Sequence, residues 1–171
     1  KALFWCDFFA ALVAMTIFSV GLDETQRQEA TDALVRRVNE QIDLLSFDES
    51  DGDTLRQLVE SFSDRRGLMR LRIAETLGQI GEAATPVLVE ALANHPIEGV
   101  RRACAKTLTL IADPTAVPVL VNSFLNDSDT VVQGSSVGAL ARTGRPAAPD
   151  LLRILEDHSH SETLQAHAAW A

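Results

Sequence analysis

Val100-Arg101-Arg102-Ala103-Cys104-Ala105-Lys106-Thr107-Leu108-Thr109-Leu110-Ile111-Ala112-Asp113 is the stretch that decides the fold. It reads as one helix, with Leu108 and Ile111 a turn apart on an apolar face and Cys104 in an alanine-like buried slot. Asp113-Pro114 turns the chain, and Pro118-Val119-Leu120-Val121-Asn122 opens a second helix. The same frame recurs on both sides. Met69-Arg70 leads to Leu77-Gly78-Gln79-Ile80-Gly81 and then Pro86 to Leu92; Val132-Gln133 leads to Leu140-Ala141-Arg142-Thr143-Gly144 and then Pro149 to Arg153. A fourth frame opens at Leu164-Gln165. The period is about 31–32 residues, and two short helices of that length cannot bury an apolar face alone. The expected fold is therefore all-α, a solenoid of stacked two-helix repeats.

Laid in register, the frames separate structure from variation. Leu77, Leu108 and Leu140 share one column, and Ile80, Ile111 and Thr143 the next apolar one. Ala74, Ala105, Val137 and Ala169 read as a small-residue slot where helices approach closely. Gly81 and Gly144 suit a left-handed helix cap, whereas Ala112 replaces glycine and Asp113-Pro114 is expected to do the turning.

Upstream, residues 21–53 read as an N-terminal helix and an acidic loop, with the solenoid proper over 54–171 and its last repeat truncated. Asp23 is placed to cap that helix, and Ala30, Leu34, Val38, Ile42 and Leu45 mark its apolar stripe. Thr54 to Phe62 forms the next helix, with Leu55, Leu58, Val59 and Phe62 inward. Residues 1–20 are an apolar segment. Its basic start and small residues near Ala14 fit a signal peptide; Asp7 inside the run argues against one, and the run is short for a membrane span. Met15 is the expected true start, with 1–14 as upstream readthrough, which makes the protein soluble and cytoplasmic.

Composition narrows the function classes. The apolar share of 46% is globular, and a net charge of −9 lacks the basic face that a nucleic-acid binder needs. A HEAT-like DNA glycosylase would want basic and aromatic side chains that this chain does not supply. Two lone cysteines, Cys6 and Cys104, fit a reducing compartment and no disulfide framework. His158-Ser159-His160, among Glu156, Asp157 and Glu162, reads as a solvated turn, and no metal-ligand spacing is present.

The run Val100 to Asp113 followed by Ala116-Val117-Pro118-Val119-Leu120 resembles the short HEAT repeat of the cyanobacterial phycobilin lyase family, the PBS-lyase or E/Z type, over about residues 55–171. Leu108 to Pro118, with Ala139 to Gly144, is most similar to the phycocyanobilin-lyase-related members linked to phycobilisome turnover. The resemblance implies attachment, transfer or removal of a bilin on a phycobiliprotein cysteine. The nucleophilic thiol then belongs to the substrate protein. The partner is a phycobiliprotein subunit or another protein, with a heterodimer of two related HEAT proteins a further possibility the family offers. No cofactor is held permanently, and a linear tetrapyrrole of the phycocyanobilin type is the substrate. HEAT-repeat di-iron hydroxylases carry His-Glu pairs, and no such dipeptide occurs here.

A tetrapyrrole needs basic groups for its propionates, a carboxylate for its pyrrole nitrogens and apolar walls. Two rows of residues are candidates, for a ligand or a partner. Glu90, Asn122 and Arg153 stand four residues after the three prolines, with Glu60 as the approximate upstream counterpart, on helices expected to line the concave face. Arg70 and Arg101 share a column that becomes Gln133 and Gln165; this column fits either propionate binding or a structural role capping carbonyls and pairing with acids of the adjacent repeat. Trp170 occupies an outward position. Against the lyase stands a second function class, a non-catalytic HEAT scaffold that docks a protein partner through its large surface.

Overall fold

The computed structural model describes residues 23–171; the apolar segment 1–20 and the start at Met15 lie outside the described residues. The described chain is all-α. Helices α1 (Glu24–Asp43), α2 (Gly52–Glu60), α3 (Gly67–Ile80), α4 (Thr85–Asn94), α5 (Glu98–Ile111), α6 (Val117–Asn126), α7 (Thr130–Thr143), α8 (Ala148–Glu156) and α9 (Glu162–Trp170) follow one another. A single 3₁₀ turn precedes α4, α6 and α8. The odd-numbered helices stack side by side as one layer, and α2, α4 and α6 form the other; α8 joins the stack through α9 and the turn before it.

Each boundary has a local cause. Asp23 caps α1, its carboxylate accepting the Gln26 N–H at 2.8 Å while its own N–H donates to the Gln26 side chain at 3.2 Å. Pro86, Pro118 and Pro149 lie in the first turns of α4, α6 and α8, where the missing N–H leaves nothing unpaired. Gly81 and Gly144 end α3 and α7 with φ of 77° and 72° but ψ of −139° and −129°, a glycine conformation other than the expected left-handed helical cap. Ala112 departs from the sequence expectation. It adopts the left-handed conformation itself, φ 56° and ψ 31°, and its N–H still bonds the Leu108 carbonyl. The Asp113 carboxylate secures the following turn by accepting the Thr115 N–H at 2.8 Å. All three positions take a positive φ, but ψ differs: only Ala112 has the left-handed helical value.

The core is one continuous cluster running along the stack. Leu77, Leu108 and Leu140 are buried, as are Leu55, Leu58, Val59 and Phe62. Burying a leucine side chain fully contributes about 1.5–3 kcal/mol, so the leucine column alone carries a large share of each repeat's stability. One turn before the leucine column, Ile73, Cys104, Ser136 and Ala168 share a register position and are each buried. The expected slot Ala74–Ala105–Val137–Ala169 is closed only at Ala105 and Val137, because the helices meet one position earlier at both ends. In α1 the buried residues are Val35 and Val38, with Leu34 and Ile42 packed beside them. Ala30 is exposed, and Leu45 is 95% exposed past the helix end with φ 53°, so the predicted stripe is shorter than its periodicity suggested. No described helix is long and apolar enough to cross a membrane.

Candidate functional site

The loops that join one repeat to the next share a single construction. Asp64, His95, Asp127 and Asp157 occupy equivalent places after α2, α4, α6 and α8. Each uses its side chain to accept the backbone N–H two residues on, at 2.8, 3.1, 2.8 and 2.9 Å. Such a turn needs an acceptor, and three of the four positions supply a carboxylate. The backbone carbonyls of the same four residues accept from the next first helix. Arg70 reaches Asp64 at 2.7 Å, Arg101 reaches His95 at 2.9 Å, Gln133 reaches Asp127 at 2.8 Å and Gln165 reaches Asp157 at 3.1 Å.

Arg101 does more than cap. Its Nε and Nη2 hold Asp127 of the following repeat at 2.9 and 3.0 Å, a two-bond grip between largely buried groups. Arg102 pairs in the same way with Asp129, which also accepts the Val131 and Val132 amides at the start of α7. The Arg102 guanidinium, ahead of those amides, holds the Asp129 carboxyl well below the usual carboxylate range. Near the first repeat Arg66 bridges Asp64 and Asp32, and its hydrogen bonds lower the Asp64 carboxyl. Cys104 is sealed in the core, and desolvation pushes its thiol up to about 12.

The row on the second helices falls into two neighbouring grooves. A groove of about 940 Å³ lies between α2 and α4 with α1 at its side. Leu34, Val59, Val87 and Ala91 give it an apolar floor, while Asp53, Glu60 and Glu90 set carboxylates along it. A second groove of about 380 Å³ lies between α4 and α6 and holds Asn122 and Arg101. Asn94 and His95 line both, so the two are adjacent. Asn122 accepts from the Asn126 side chain at 2.9 Å. Arg153 stands apart from these two grooves, 75% exposed and paired with Asp150 at 3.1 Å within α8. Arg70 is turned to its loop carbonyl. Of the candidate residues, then, Glu60 and Glu90 share one groove and Asn122 and Arg101 the next.

His95 escaped the sequence reading. Its Nδ1 accepts the Ile97 N–H, which leaves the ring proton on Nε2, and Nε2 lies 3.4 Å from a Glu60 carboxylate oxygen. The pair spans two repeats, with the imidazole 10% and the carboxylate 69% exposed. Aligning the four inter-repeat loops would have singled it out, as the one imidazole in a column of aspartates. His160 lies 3.6 Å from Asp157 in its turn, and the described residues contain no cluster of three or more His, Cys, Asp or Glu side chains arranged to hold a metal.

Comparison with known proteins adds to this geometry. Bilin biosynthesis protein MpeU of Synechococcus sp. strain WH8020 is 42% identical over 134 residues, covering 78% of this chain and 45% of that protein. Deoxyhypusine hydroxylase of Candida albicans is 39% identical over 85 residues, 48% of this chain and 26% of the enzyme. Its Chaetomium globosum counterpart is 35% identical over 85 residues, 48% of this chain and 25% of the enzyme. The chain thus spans less than half the length of each of these curated relatives. The family profile of HEAT repeats matches residues 52–141 and again 85–171, which covers the stacked frames from α2 to the last helix. With the repeat columns buried as the stack requires, the chain belongs to the HEAT-repeat family.

Proposed function

We propose that this protein is a phycobilin lyase-like HEAT protein that handles an open-chain tetrapyrrole on its way to or from a phycobiliprotein cysteine. The observation that carries the reading is the 42% identity to a bilin biosynthesis protein over 78% of the chain. The α2–α4 groove supports it: an apolar floor flanked by carboxylates suits a long conjugated molecule with N–H groups along one edge. On this reading the acceptor thiol is the partner's, consistent with Cys104 being buried. A phycobiliprotein subunit, a cytoplasmic setting and pairing with a related HEAT chain belong to the same proposal.

The test is co-expression of the protein with a phycobiliprotein subunit and phycocyanobilin. Zinc-induced fluorescence of the denatured subunit above a control lacking the protein is the expected result. Fluorescence equal to that control refutes bilin attachment, and incubation with pre-loaded subunit then checks removal or transfer.

A non-catalytic adaptor is the second reading. It is favoured by Leu68 and Leu71 on α3, which are 78% and 54% exposed on the side of the stack away from the core. Leu71→Glu then abolishes capture of the phycobilisome partner while helix content and melting temperature match wild type; equal capture by the variant rejects that surface.

A further inference from the structure

The inter-repeat loop requires an acceptor at position 95 and nothing more, since Asp64, Asp127 and Asp157 build the same turn with a carboxylate. An imidazole supplies that acceptor through Nδ1 and adds a second group, Nε2–H, which the turn does not use. That proton is directed at Glu60, on the wall of the α2–α4 groove. The His95 ring is held from both sides: by the Ile97 amide on Nδ1, and through its backbone carbonyl by Arg101, itself clamped to Asp127. Glu60, by contrast, is mostly exposed and would sample many rotamers without this contact.

The electrostatics of the groove select its occupant. Asp53, Glu60 and Glu90 face a single guanidinium, Arg56, and that guanidinium is paired with Asp53. Glu60 and Glu90 therefore remain as acceptors beside apolar side chains. A carboxylate accepts hydrogen bonds only, so the matching ligand edge donates them or carries positive charge. Anionic substituents on the same molecule are repelled from the wall and point outward.

We propose that the α2–α4 groove binds an extended, flat, apolar molecule by its hydrogen-bond-donating edge, with Glu60 as the accepting carboxylate and His95 as the residue that positions it. Naming that molecule an open-chain tetrapyrrole rests on the functional reading above. The site itself rests on the groove, its charge and the His95–Glu60 contact.

The experiment titrates the full chain with biliverdin, followed by absorbance, and in parallel with thioflavin T, a flat cationic dye, followed by fluorescence. Glu60→Gln weakens biliverdin binding by about tenfold, the scale of one charge-assisted hydrogen bond, and weakens the dye, which has no N–H, through loss of the charge alone. His95→Asn keeps the turn acceptor, so its helix content and melting temperature match wild type. It nonetheless weakens binding severalfold and alters the long-wavelength band of bound biliverdin, a change that a purely structural role would not produce. Thr163→Ala, exposed on α9 and remote from the groove, binds as wild type. Dye binding that depends on Glu60 without any biliverdin binding upholds the groove and overturns the tetrapyrrole reading. Biliverdin binding that is indifferent to both Glu60→Gln and His95→Asn overturns the site and leaves the functional reading standing. Absence of binding by either probe overturns the site outright.

Discussion

Ala112 holds a left-handed backbone at a place where its register partners are Gly81 and Gly144. A Cβ in that region costs about 1–2 kcal/mol, partly offset by the freedom glycine adds to the unfolded chain. Ala112→Gly is therefore expected to stabilise the protein by about 0.5–1 kcal/mol, read as a higher urea midpoint at unchanged slope. Ser136 offers a second such site. Its hydroxyl is buried in the Ile73–Cys104–Ser136–Ala168 column without a protein hydrogen-bond partner among the described residues. Ser136→Ala removes that polar group and raises stability by about 1 kcal/mol in the same assay; a fall in the midpoint would show that the hydroxyl is satisfied. These two positions mark where sequence reading is strong and where it stops. The leucine and glycine columns were legible because burial and φ demand particular side chains at a fixed period. Ala112 was misread because an alanine gives no sign that its frame imposes a positive φ. The His95–Glu60 contact was not legible either, since it joins residues 35 apart through a loop rather than along a helix face.

Among the elements, α7 begins with a heavily engaged carboxylate. Asp129 caps the helix through two amides and pairs with Arg102 on α5. Its folded-state carboxyl lies well below its unfolded value near 4, as does that of Asp64 beside Arg66. A depressed carboxyl contributes stability that is fully present above the unfolded value and is lost as pH falls through the folded one. The urea midpoint should thus hold steady near neutrality and fall below about pH 4. In Asp129→Asn that acid limb flattens, while stability at pH 7 is lower than wild type. An unchanged slope would mean that the pairing contributes equally in the unfolded chain. The α1 element teaches a different lesson. Its capping box was readable from Asp23, yet periodicity overextended its apolar stripe to Leu45, because hydrophobic spacing continues past the point where the chain leaves the helix.

At the scale of the whole molecule, each repeat touches mainly its neighbours, so stability passes along the stack through successive interfaces. Cys104 reports on the middle of that stack. In a Cys6→Ser variant, Ellman's reagent at pH 8 should label Cys104 at least about a hundredfold more slowly than in denaturing urea, since its thiol is both sealed and held protonated. Adding Leu108→Ala, which empties an adjacent core position at about 2–5 kcal/mol, should accelerate labelling markedly. Labelling at an unchanged rate would show that the reagent enters without the interface opening. The architecture itself was legible from the period; the division of the second-helix face into two grooves was not, because it depends on how far apart successive second helices sit.

The column Arg70, Arg101, Gln133, Gln165 has one further consequence. Every member reaches a loop carbonyl, and a carbonyl asks for an N–H, which an amide offers as well as a guanidinium does. The carbonyl bond at the seam is therefore indifferent to charge, while Arg101 adds an ion pair with Asp127 that only a cation can make. Along this chain the flank passes from basic to neutral, repeat by repeat, without altering the carbonyl bond by which one unit follows the next. A seam built this way lets the charge of the flank change while the stacking of the repeats stays the same.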